Sequence, residues 1–301
     1  MAARSYMQQA LPTTFGLKCA VWLMPLIDHV QRLDQLRPRV LRVEFGGAGG
    51  TLASLGDQGL AVMEGLAAEL DLAAPLAPWH VARDGFAEAV SLLGLLCGSL
   101  AKMANDIILL AQTEVGEVAE PHVPGRGGSS TLPHKRNPIA SAYVLAAERG
   151  VQALVPLMQG AMVDQHERGA GPWQAELLAM PQAFVLTHGA LLHARLLAEG
   201  LVVDAARMRR NLDITRGAVV AEAVSMGLAP VLGREQAHEV VKRASDAALK
   251  EGSGLTEALM REEAVTSQLD EAAIRRLTDP AAYLGSTQAF IYRVLRQANG
   301  V

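Results

Sequence analysis

Gly128-Ser129-Ser130-Thr131-Leu132-Pro133-His134-Lys135-Arg136-Asn137-Pro138 gathers two serines, a threonine, a lysine, an arginine and an amide into one short stretch. It follows the glycines Gly125 and Gly127. Two prolines break any helix and fix local backbone angles, and the glycines leave the backbone free to close over a ligand. Such a loop suits an anion. Ser129 and Ser130 donate or accept hydrogen bonds, Lys135 supplies a compact charge, and Asn137 bonds a carboxylate oxygen. The same composition also serves as an ordinary polar surface turn, so the surrounding chain has to decide between the two.

The chain has 301 residues, about two domains at ~150 residues each. Half of it is apolar but only 4% is aromatic. The core must therefore be built from Ala, Leu, Val, Ile and Met, which favours packed helices over sheets. A net charge of -4 and a pI near 6.1 give no electrostatic reason to expect nucleic acid or an anionic membrane as partner. Cys19 and Cys97 are too few for a disulfide framework, and no Cys/His group has zinc-ligand spacing. A reducing, cytoplasmic location is the default that follows. The most apolar stretch, Ala89 to Ala101, stops at Lys102, short of the ~20 residues of a bilayer span, and no secretory signal pattern opens the chain.

Helical periodicity dominates. Long helical runs are expected from Phe15 to Leu36, Gly59 to Leu72, Phe86 to Glu117, Ser141 to Gln165, Gln174 to Leu201 and Asp204 to Leu228. Several are apolar nearly all round, which requires burial in a large bundle or between subunits. Val40 to Phe45 is the longest strand candidate. The glycine run Gly46-Gly47-Ala48-Gly49-Gly50 is out of register with a dinucleotide fingerprint and lacks a βαβ context, so it reads as a tight approach to a helix. Beyond Gly233 the chain becomes more charged and breaks into shorter segments, Leu255 to Arg261, Asp270 to Leu277 and Ser286 to Ala298. The fold class expected is all-α. Residues 1–215 form a central helical-bundle domain and 216–301 a small helical C-terminal domain.

The loop 128–138 resembles the signature loop of the fumarase/aspartase superfamily, GSSxMPxKxNP, with Leu132 where methionine is usual. The resemblance extends to Pro78-Trp79-His80-Val81-Ala82-Arg83-Asp84, Gln112 to Pro121, His166-Glu167-Arg168, Asp204 to Asp213 and Phe45 to Asp57. Together these resemble the 3-carboxy-cis,cis-muconate cycloisomerase branch more than the adenylosuccinate lyases. Lyase branches carry a Thr-His-x-Gln-x-Ala motif whose histidine serves acid/base chemistry. Here Ser5-Tyr6-Met7-Gln8-Gln9-Ala10 puts Tyr6 in place of that histidine, which cycloisomerases also tend to lack, and keeps Gln8. In the family this motif lies well inside the chain, so roughly the first third of a full-length member, including a motif of the active site, is expected to be missing.

The resemblance implies β-elimination or its reverse, through an intermediate in which a carboxylate takes on a second negative charge. In this branch the substrate's own carboxylate adds across a double bond, so the expected reaction is lactonisation of 3-carboxy-cis,cis-muconate in aromatic catabolism, with no cofactor and no metal. Ser129 is the implied proton-transfer residue. A serine is a poor base unless its alkoxide is stabilised, a task assigned to Lys135 and to N–H groups freed by Gly127 and Gly128. Substrate binding is assigned to Ser130, Thr131, Asn137 and Gln8. Arg168 is a candidate second clamp for the tricarboxylate, with a surface i,i+4 ion pair as its alternative role. His134 and His166 are read as structural or pocket-lining, His80 as packed or capping, and the helix-face Asp and Glu residues as solvated charges. The implied assembly is a homotetramer with each site shared by three subunits, and the chain alone is expected to turn over poorly. A fumarate-releasing lyase and an inactive helical oligomer are the competing functions.

Overall fold

A computed structural model describes residues 1–125 and 127–300. Two compact units are present. One comprises residues 22–112 and 118–202, the other residues 1–21, 113–117 and 203–300.

The first unit is built on long helices. Helix α1, Phe15–Val40, begins in the other unit, where Thr14 Oγ1 accepts the Leu17 N–H at 3.1 Å as a start signal. After it come α2 (Gly59–Glu69), α3 (Asp84–Leu110), α4 (Ile139–Gly160) and α5 (Pro172–Gly200). Pro172 at the first position of α5 suits its missing N–H, and Gln174 Oε1 accepts the Gly171 N–H at 2.6 Å. Helices α3, α4 and α5 pack around Ala87, Val90, Met158, Ala161, Ala179 and Ala183, all buried. Small residues let the axes approach. A Cβ on Gly94 would lie 2.9 Å from Val155, and one on Gly150 would lie 2.8 Å from Leu186. Gly150→Val is therefore expected to overpack this seam and cost about 1–3 kcal/mol, read as a lowered melting temperature. Gly65→Ala, exposed in α2 with open space around it, should instead gain about 0.5–1 kcal/mol.

Helices α3 and α5 are longer than the apolar stretch read from sequence. By length and composition alone both could cross a membrane. The glycine run precedes a 3-10 segment, Ala53–Gln58, leading into α2, and Gly46 lies against Pro78, where a Cβ would meet its ring at 2.7 Å. The strand expected over Val40 to Phe45 reduces to one parallel bridge, Arg42 with Ala73.

The second unit opens with a hairpin that the sequence did not announce. Strands β1 (Ala2–Ser5) and β2 (Gln8–Pro12) pair antiparallel, Ser5 opposite Gln8. The two-residue turn is Tyr6-Met7 with φ of 49° and 63°, the conformation of a primed turn without the usual Asn or Gly. The expected helix from Asp204 to Leu228 is broken. Helix α6 (Ala205–Leu212) and α7 (Ala221–Leu232) are separated by 3-10 turns, the chain bending by 87°. Arg216 and Gly217 both adopt positive φ there, and the Arg216 carbonyl accepts the Leu255 N–H at 2.8 Å. A buried tertiary anchor thus overrides continuous helical periodicity. Beyond lie α8 (Arg234–Glu251), α9 (Leu255–Leu259), α10 (Glu263–Thr266), α11 (Glu271–Leu277) and α12 (Thr287–Ala298). Val224, Leu228, Val240, Val241, Leu255 and Ile274 are among the buried residues that hold α7, α8, α9 and α11 together.

Two carboxylates expected to be solvated are buried. Glu117, fully inaccessible, receives the Arg4 guanidinium at 2.7 and 3.0 Å and the Asn211 amide at 2.8 Å. Glu176, on the inner face of α5, pairs with Arg83 at 2.8 Å, and that guanidinium also lies over the Trp79 and Phe86 rings. Sequence spacing identifies neither pair, because the partners lie 113 and 93 residues apart.

Candidate active site

The signature loop is a hairpin-like excursion ahead of α4. At its base Gly128 and Arg136 form an antiparallel bridge, and the Gly127 carbonyl accepts the Asn137 N–H at 2.8 Å. Gly127 has φ of 72°, and a Cβ there would lie 2.8 Å from the Asn137 carbonyl, so only glycine fits. The Leu132 carbonyl accepts the Lys135 N–H at 3.0 Å, closing the turn inside the loop.

Ser129, half-buried, is the focus of this turn. Its Oγ accepts the Leu132 N–H at 3.0 Å and the Thr131 N–H at 3.3 Å. The donors expected from Gly127 and Gly128 are thus supplied from the other side, by the residues that follow. Two amides aimed at one hydroxyl oxygen favour its anionic form, since each interaction strengthens as charge develops. Ser130, Thr131 and Lys135 are exposed around it, and Asn137 is half-buried. Lys135 makes no ion pair among the described residues.

Glu120 is a structural neighbour of the loop that sequence reasoning missed. Its carboxylate accepts the Ala140 N–H at 2.9 Å, the Ser141 N–H at 2.8 Å and the Ser141 hydroxyl at 2.6 Å. Its carbonyl accepts from the Arg136 guanidinium at 3.2 Å. Pro138, at the cap position of α4, provides no side-chain cap, and Glu120 takes that role from outside the helix. The first-turn amides of α4 are therefore occupied, which leaves anion binding to the side chains of Lys135 and Asn137. An acidic residue beside Pro121 and ahead of the glycine run was the available signal.

Among the described residues, no hydrogen bond or ring contact joins the remaining assigned residues to this cluster. Arg168 is exposed in the connection after α4, its guanidinium 5.5 Å from the Trp173 ring centre. Helices α4 and α5 run antiparallel, Tyr143 stacking on His193 near one end and Met158 packing with Ala179 and Ala183 near the other. The loop carrying Ser129 enters α4 at its N-terminus and Arg168 follows its C-terminus, the two helix ends lying about 33 Å apart for 22 residues at 1.5 Å each. Gln8 belongs to the other unit, exposed beside the hairpin turn, while its neighbour Gln9 donates to the Asn211 carbonyl at 2.8 Å. His134 and His166 are exposed. His80 is packed, its side chain 11% accessible and Nδ1 3.4 Å from Glu44.

Two family models match the chain, one described as lyase over residues 1–152 and one as adenylosuccinate lyase C-terminus over residues 217–294. The chain is 49% identical to 3-carboxy-cis,cis-muconate cycloisomerase of Pseudomonas aeruginosa, covering 99% of this chain and 65% of that protein. It is 48% identical to the protein of the same name from Bradyrhizobium diazoefficiens, covering 98% and 65%. Among solved structures, the 3-carboxy-cis,cis-muconate lactonizing enzyme of Pseudomonas putida superposes with a TM-score of 0.94 at 44% identity, over 99% of this chain and 66% of the other. The chain thus spans about 65% of the length of these curated relatives. With the signature loop, the helical architecture and this degree of identity in agreement, the chain belongs to the lyase family of the fumarase/aspartase superfamily, alongside the 3-carboxy-cis,cis-muconate cycloisomerases.

Proposed function

We propose that this chain carries the catalytic loop of a 3-carboxy-cis,cis-muconate cycloisomerase. The observation that carries the reading is the pair of amides on Ser129 Oγ beside an uncommitted Lys135. In lactonisation a substrate carboxylate oxygen bonds to the β-carbon of a double bond, and the α-carbon takes a proton. Ser129 delivers that proton and is left as an alkoxide, which the Thr131 and Leu132 N–H groups hold until solvent reprotonates it. Lys135 and Asn137 hold the neighbouring carboxylate while it carries the developing second charge. The substrate has three negative charges and the lactone two, so each turnover takes up one proton. No bond to a cofactor or metal is required by this sequence of steps.

The site is proposed to be completed between copies of the chain, in a cytoplasmic homotetramer. Three features support this. Arg168 and Ser129 lie at opposite ends of α4, so a site using both draws them from different chains. Leu177, Leu178, Phe184 and Val185 on α5 are half-exposed or more, an apolar face of the kind that marks self-association. The Tyr6-Met7 turn beside Gln8 is exposed despite its strained backbone.

The test is an ultraviolet assay of 3-carboxy-cis,cis-muconate. The chain is assayed alone and then together with the part of a curated relative that it does not span. Loss of the diene absorbance with uptake of one proton per turnover is expected in the second mixture. Fumarate release from adenylosuccinate or argininosuccinate would instead mark a lyase, and intact helicity and assembly without turnover in either mixture would refute the enzymatic reading.

A further inference from the structure

The chain entering α4 is written as a helix start one residue earlier than the helix observed. Asparagine is among the strongest N-cap residues, its side chain accepting from the second or third helical N–H, and proline is favoured at the first helical position. Asn137-Pro138-Ile139-Ala140 therefore specifies a cap at Asn137 whose side chain takes the Ala140 N–H. The structure departs from this. Helix α4 begins at Ile139, and Pro138 has φ of -79° and ψ of 71°, an inverse γ-turn in which the Asn137 carbonyl accepts the Ile139 N–H at 2.9 Å. The Ala140 N–H goes to Glu120 instead, with the Ser141 N–H and hydroxyl beside it. The Glu120 carbonyl takes Arg136, so this one residue grips the chain on both sides of Asn137. Among the described residues the half-buried Asn137 side chain forms no hydrogen bond. A local rule broken beside a functional loop points to a functional reason.

We propose that Glu120 is a positioning residue: it satisfies the α4 amide that Asn137 would otherwise cap, and so keeps the Asn137 amide free for the substrate carboxylate. The inference rests on the substrate-binding role proposed above for Asn137. Without Glu120 the Ala140 N–H loses its acceptor, Pro138 turns into the helix as its first residue, and Asn137 closes on Ala140 instead of on substrate. Glu120 itself touches no substrate and acts through Asn137.

A double-mutant cycle in melting temperature tests this without turnover. Asn137→Ala should leave melting unchanged in the parent, where the side chain caps nothing, and lower it by a few degrees in Glu120→Ala, where it has become the cap. In the diene assay, run with the part of a curated relative that the chain does not span, Glu120→Ala should lower kcat/KM about as far as Asn137→Ala, at least tenfold, and the double variant no further. Acetate replaces the carboxylate arm that Glu120→Ala removes. It should restore kcat/KM several-fold in that variant and do nothing for Asn137→Ala. An equal effect of Asn137→Ala on melting in both backgrounds overturns the proposal, whatever the turnover. So does a Glu120→Ala protein with parental kcat/KM, losses that multiply in the double variant, or an equal response of the two single variants to acetate. A parent mixture without turnover would refute the cycloisomerase reading, and the melting cycle would then decide the capping exchange on its own.

Discussion

Ser129→Ala is expected to lower kcat for lactone formation about a thousand-fold, within the range for loss of a positioned proton-transfer group. The assay is the diene measurement on the chain together with the part of a curated relative that it does not span. KM should change little, because Lys135 and Asn137 still hold the substrate carboxylates. Melting should also hold, since the two N–H groups released by the substitution belong to exposed residues, Thr131 and Leu132, that water can reach. Lys135→Ala should act differently, raising KM as well as lowering kcat, because its charge contributes to both ground-state and transition-state binding. A Ser129→Ala protein with a near-normal kcat would remove serine from the chemistry and leave the loop as a binding element only.

The largest effect on stability is expected at Arg4. Glu117 is fully inaccessible and is held by Arg4 and Asn211. Arg4→Ala strands that carboxylate in the interior with one amide donor, and breaking a buried pair from one side costs about 3–5 kcal/mol. Urea unfolding of the second unit should show a lower midpoint with an unchanged slope. Arg4→Ala/Glu117→Gln should recover much of the loss, because a neutral amide needs no counter-charge and still meets Asn211. If the single substitution melts like the parent, water is reaching Glu117 and the burial argument is wrong.

The sequence conveyed the helical class through long 3.6-residue periodicity, and the runs at Phe15, Gly59, Phe86, Ser141 and Gln174 all became helices, with ends displaced by up to seven residues where α3 stops at Leu110 rather than Glu117. It failed where tertiary contacts set the backbone. The break at Arg216-Gly217 depends on the distant Leu255 amide, and the Tyr6-Met7 turn uses residues that rarely adopt positive φ. Within the candidate site, the chemistry of the signature loop was visible because its residues are contiguous. Glu120 was not, and neither was the buried pair of Arg4 and Glu117 in the other unit, because each acts across a gap in sequence that only the fold closes.

The anchoring of the signature loop has a consequence for the entropy of ligand capture. Its base is fixed twice, through the Asn137 amide on the Gly127 carbonyl and through Glu120 on the first turn of α4. Freedom is confined to the tip, residues 129–135, and Ser129 already ties part of that tip to itself. A ligand closing on such a loop orders few residues. Since each residue that is immobilised costs about 1–2 kcal/mol, most of the loop's interaction energy remains for the reaction itself.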